Sequence, residues 1–178
     1  SLGRASGANV GTYALNVGTL ANANYDITFV PANLTITQRP ITVTAANKTK
    51  VFGSTDPSLT YSITSGSLVG SDSLSGSLSR TSGEDVGTYA INQGTLANAN
   101  YAITFAGSNL TVSERPITLT AANRTKVFGD SDPSLAYSIT SGSVVGSDVF
   151  SGSISRNSGE NIGSYVIGRG TLANTNYA

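Results

Sequence analysis

Apolar and polar residues alternate with a period of two along most of the chain. Leu34 and Ile36 alternate with Asn33, Thr35 and Thr37, and Ile41, Val43 and Ala45 alternate with Thr42 and Thr44. This is the pattern of strands with one buried face. Leu59, Tyr61 and Ile63, then Tyr89 and Ile91, then Tyr101, Ile103 and Phe105 repeat it. Strands are therefore predicted near 40–46, 59–65, 76–81, 87–93, 101–106 and 109–114. They are separated by Gly-, Ser-, Asn- and Pro-rich turns at 53–57, 70–72, 82–85 and 97–100. No stretch keeps a helical period, and only 67–75 has room for a short helical turn. Apolar parity changes from even to odd across Gln38-Arg39-Pro40. The fixed φ and missing N–H of Pro40 predict a stiff kink there that ends the ladder, and Pro116 repeats it.

The pattern recurs as a whole. Arg4, Arg80 and Arg156 stand 76 residues apart, and residues 1–102 laid on 77–178 match at 72 of 102 positions. A tandem array follows, because self-similarity at a fixed period outranks a single-domain reading. Residues 1–39 read as the second half of one repeat, 40–115 as a complete repeat, and 116–178 as a third lacking its last strands. The expected fold class is mainly β: tandem small units, sandwich-like or β-grasp-like, with at most one short helical turn each, in an elongated rod. Ser1–Arg4 overlays Ser77–Arg80, and Ala178 overlays Ala102 inside a predicted strand. The chain so reads as a window on a longer array, whose two ends, in isolation, are expected to complete each other head to tail between molecules.

Composition removes most chemistry. Cys, His, Met and Trp are absent, and ten basic residues balance ten acidic ones. That excludes thiol and imidazole catalysis, disulfides, the common zinc and haem ligands, and a basic stripe for nucleic acid. No apolar run approaches the roughly 18 residues of a membrane span. An enzyme needs a nucleophile with its base, paired carboxylates or a metal, and none is expected here.

Several local motifs have both a bland and a chemical reading. Asp85-Val86-Gly87-Thr88-Tyr89 has the spacing of a tyrosine corner, whose buried ring bonds back to the upstream backbone. Gly87 and Tyr89, with Gly163 and Tyr165 in the next copy, are the structural residues it singles out. Asp becomes Asn9 and Asn161 in the other copies, so an acceptor is kept and its charge is not. The acidic loop Asp130-Ser131-Asp132-Pro133, with Asp148, raises a calcium site, but the preceding copy, Ser54-Thr55-Asp56-Pro57, favours a turn. Lys50 and Lys126 raise an isopeptide cross-link, against the ordinary expectation of a surface lysine on a strand. Thr pairs such as Thr42/Thr44 read as outward strand faces, and the Asn-x-Thr sequons at Asn33, Asn47, Asn109 and Asn123 fit strand alternation.

Lys50-x-Phe52-Gly53, Asp56-Pro57-x-Leu59-x-Tyr61 and Val86-Gly87-Thr88-Tyr89 occur in that order, and in this the chain resembles the MBG-type repeat. The resemblance covers one whole and two partial copies. It implies an array-forming structural module of very large bacterial surface proteins, notably CdrA-like two-partner-secreted biofilm adhesins. It implies a secreted or cell-surface location and neighbouring repeats of the same protein as partners. Exopolysaccharide or like molecules would be met through regions outside the fragment. No catalytic residue or cofactor is implied. The expected function is a stalk that projects a binding tip or links cells in a matrix. The alternative is a repeated carbohydrate- or protein-binding module acting by avidity.

Overall fold

The computed structural model describes residues 1–178 and contains strands and no helix. In chain order the strands are β1 Gly3–Arg4, β2 Gly11–Asn16, β3 Asn33–Ile36, β4 Arg39–Ala45, β5 Lys48–Val51, β6 Tyr61–Ser65 and β7 Ser79–Arg80. They continue as β8 Gly87–Asn92, β9 Tyr101–Ala106, β10 Ser108–Ser113, β11 Thr118–Ala121, β12 Tyr137–Ser141, β13 Ser155–Arg156 and β14 Ile167–Gly168. The stretch 67–75 closes a turn from Asp72 N–H to Val69 C=O (3.0 Å). Gly70, at φ +56°, takes the chain into a conformation that a helix cannot continue.

The complete repeat builds two sheets. In the first, β4 is central, antiparallel to β6 and parallel to β9, in the order β6-β4-β9. In the second, β5 is parallel to β10, in the order β5-β10-β8-β7. Parallel neighbours cannot be joined by a hairpin. Each of these ladders therefore closes across most of the repeat, pairing Arg39 with Tyr101 and Lys48 with Leu110.

Two sequence expectations need correction. Pro40 does not end a ladder: it lies within β4, paired with Ala102, while Arg39 N–H donates to Asn100 C=O at 2.9 Å. Its missing donor falls on the side where β6 begins pairing only at Thr42, so nothing is lost there. Strand β5 went unpredicted because its one buried position is Lys50, and a strand whose inward residue is charged has no apolar period to read.

By internal contacts the chain forms two compact units. One comprises Ser1–Ala46, Leu59–Thr81 and Ala90–Ser108. Its core is Ile41, Val43, Leu96 and Tyr101, flanked by Ile63, Leu68, Leu74, Leu78, Ile103 and Phe105. The other comprises Asn47–Ser58, Ser82–Tyr89 and Asn109–Ala178. Its core joins Phe52 and Val112 to Tyr177, with Val86, Ile117, Val144, Val145 and Phe150 around them. The Phe52 and Tyr177 rings meet edge to face at 5.6 Å. Residues of two successive repeats thus share one core.

Matched positions in different copies show what the parallel partners cover. Tyr101 is 4% exposed in β9, whereas Tyr25, whose segment 25–30 forms no strand, is 73% exposed. Phe52 is 6% exposed beside β10, whereas Phe128 is 67% exposed.

Leu110 is fully buried and Val30 is 80% exposed. Leu110→Ala is expected to cost about 2–5 kcal/mol, and Val30→Ala to stay within about 0.5 kcal/mol of the parent, both by urea unfolding. Equal effects would contradict the placement of the core.

Candidate functional site

Three tyrosine corners recur. The Tyr13, Tyr89 and Tyr165 hydroxyls donate to the backbone carbonyls of Asn9, Asp85 and Asn161 at 2.8, 2.7 and 2.8 Å. The rings are half-buried because one face is open to the charged side chains above it: Arg4 lies over Tyr13 at 5.6 Å and Arg156 over Tyr165 at 5.4 Å, in cation–π range. The close approach falls on a glycine that sequence reasoning passed over. Gly83 has φ +143°, and a β-carbon there would stand 2.1 Å from the Tyr89 ring; Gly159 stands likewise against Tyr165 at 2.3 Å. At Gly87, the first residue of β8, a β-carbon would meet only ordinary contacts, and at Gly163 none.

Above the corner sits an ion cluster. Lys50, 7% exposed, points from β5 to Asp56 at 2.7 Å and to Glu84. In the next copy Lys126 meets Asp132 at 2.8 Å and Glu160 at 2.5 Å. There Arg156 also bonds Asp132 through Nε (2.7 Å) and binds Glu160. Two cations and two carboxylates alternate, so each charge faces only opposite ones. Arg156 first, and Lys126 second, hold the Asp132 carboxyl down to about 2. Lys50 is raised by Asp56 and then Glu84, and Lys126 by Asp132 and then Glu160.

Lys50 is therefore not the surface lysine the sequence suggested. Its neighbours are those an isopeptide bond would need, but the protonation is opposite. Amide formation requires a free amine attacking a neutral carboxyl, whereas Lys50 and Lys126 are held protonated by their partners and, in the second cluster, Asp132 and Glu160 are held ionised. The sequence signal was available: Lys50, Asp56, Arg80 and Glu84 all recur as Lys126, Asp132, Arg156 and Glu160 in a chain with little charge.

Two of the carboxylates considered for calcium, Asp132 and Asp148, are otherwise engaged. Asp132 belongs to the ion cluster, while Asp72 and Asp148 accept the hydroxyls of the buried Tyr101 and Tyr177 at 2.7 and 2.8 Å. The same hydroxyls accept Val69 and Val145 N–H at 2.8 and 2.7 Å. Burial chiefly raises both phenols above their ordinary value; the aspartate adds to it. The loop at 67–75 serves to satisfy a core tyrosine, which is why it is no helix.

A last set of bonds ties one repeat to the next. Asn176 Oδ1 accepts Val86 N–H at 2.9 Å, and its Nδ2 donates to Asp85 Oδ1 at 2.9 Å. Asn100 does the same with Val10 (3.0 Å) and Asn9 Oδ1 (3.0 Å). This accounts for the drift between Asp and Asn: either supplies the oxygen that the amide needs.

The chain is thus a set of small all-β repeats in which two successive repeats share a core and every buried polar side-chain atom is satisfied. The chain belongs to the MBG domain (YGX type) family, whose model matches residues 1–35, 41–111 and 117–178. No curated protein and no solved structure matches it.

Two outcomes follow. Since the Asp132 carboxyl is held near 2 in the fold against about 3.9 unfolded, its stabilisation is present above pH ~4 and lost as pH falls toward 2. Acid unfolding of Asp132→Asn should therefore depend less steeply on pH in that window than unfolding of the parent; equal slopes would remove the cluster's electrostatic role. Intact mass of the purified chain should equal the sequence mass. A deficit of one water per repeat would establish a lysine–carboxylate cross-link.

Proposed function

We propose that this chain is a run of spacer repeats from a bacterial extracellular adhesin of the CdrA-like kind. In this reading the repeats form a stalk that holds a binding tip away from the cell or links cells in a biofilm matrix. The observation that carries the proposal is the core built from Phe52 and Val112 of one repeat with Phe150 and Tyr177 of the next. A linker-joined string of binding modules has no need of such sharing; a spacer does, because repeats with common cores cannot swing freely. MBG domains occur in the repeat regions of large surface proteins, which fits this use. Partners are then neighbouring repeats of the same protein, with exopolysaccharide or like molecules met by other regions.

Small-angle scattering on arrays of increasing repeat number tests the proposal. A constant cross-section is expected, with length growing by about 30–45 Å per repeat, the span of a compact domain of this size. A profile that fits a flexible chain would defeat the spacer. Glycan-array binding of this chain alone, rising with repeat number, would instead favour the avidity module.

A further inference from the structure

We infer that each repeat is a shear-loaded mechanical clamp, set to resist tension along the chain by its two parallel ladders. Tension on a tandem chain enters the complete repeat at Arg39, the first residue of β4, and leaves at Ser113, the last of β10. Strand β4 runs parallel to β9 in the register Arg39↔Tyr101 through Thr44↔Ala106. The load on β4 acts at its N-terminal end and the load on β9 at its C-terminal end, where β10 follows after Gly107. In a parallel pair those ends are at opposite limits of the ladder. The strands are therefore pulled past one another along their own axes, and the bonds between them share the load and must fail together.

The second ladder has the same geometry. Strands β5 and β10 are parallel from Lys48↔Leu110 to Val51↔Ser113; β5 is held at its N-terminal end by β4, and β10 is pulled at its C-terminal end. An antiparallel hairpin at the same place would be peeled open one bond at a time, and each net bond is worth only about 1 kcal/mol. Side chains strengthen the grip on both ladders. Lys50 in β5 is bound by Asp56 and Glu84. Tyr101 at the start of β9 is bound through its hydroxyl to Val69 and Asp72. The antiparallel pairs β4–β6 and β7–β8 lie off this load path.

The clamp belongs to the repeat and does not depend on what the array displays or where. Forced unfolding reads the unfolding barrier directly. The chain has no cysteine, so introduced pairs give unique handles for single-molecule pulling on the whole 178-residue protein. The shear pair is Gln38→Cys with Ala106→Cys, at opposite ends of the β4–β9 ladder. The peeling pair is Gln38→Cys with Ala99→Cys, at the same end; all three positions are exposed. Rupture force is expected to be several-fold higher for the shear pair, with both variants matching the parent in thermal unfolding. Should either fail to fold, Ala46→Cys with Glu114→Cys against Ala46→Cys with Gly107→Cys repeats the comparison on the β5–β10 ladder. Equal rupture forces in the two geometries would overturn the clamp, while leaving the spacer reading to its own scattering test.

Discussion

The parallel pairing of the first strand of a repeat with its last but one is the constraint from which the rest follows. A parallel neighbour is reached only through a long crossover. The chain therefore travels through β5, β6, β7 and β8 before β9 can lie beside β4. The 76-residue period is the length of that circuit together with the β5–β10 pairing that runs alongside it. Because β4 and β5 follow one another with only Ala46 and Asn47 between them, the circuit feeds two sheets. The compact units consequently do not coincide with the repeats. The chain passes from one unit to the other at 46/47, 58/59, 81/82, 89/90 and 108/109, so no single peptide joins them.

What the sequence disclosed and what it hid divide along physical lines. Strands β4, β8, β9 and β10 were legible because their inward positions are Ile41, Val43, Ile91, Tyr101, Leu110 and Val112, all buried. The tyrosine corners were legible because their bond is local, from residue to fourth residue upstream. Strand β5 was hidden because its inward residue is a lysine whose partners lie 6 and 34 residues away. Gly83 was hidden because its requirement comes from a ring six positions on. Pro40 misled because its cost in a strand depends on which edge the missing N–H faces, and sequence does not state which edge is paired.

The differences between copies test this account from inside the chain. Leu68 and Leu74 flank the core of Ile41, Val43, Leu96 and Tyr101. Their counterparts around Tyr177 are Val144 and Phe150. One position loses a methylene and the other gains an aromatic ring, which meets Tyr177 at a centroid distance of 5.3 Å. Cores accept coupled exchanges that keep volume and patterning better than they accept either alone. By contrast Ser73 becomes Val149, which is 77% exposed and displaces nothing. The charged positions behave the opposite way. Lys50, Asp56, Arg80 and Glu84 return unaltered in the next copy, since losing one member would leave the others facing like charge or none. In the first copy Ala8 stands at the Glu84 position, and Arg4 there keeps the bonds to the Ala5 and Gly7 carbonyls that Arg156 makes to Asn157 and Gly159, and keeps its place over Tyr13. The arginine–tyrosine stack therefore forms without the carboxylates, and the ion cluster is an addition to it in the copies that carry the lysine and both acids.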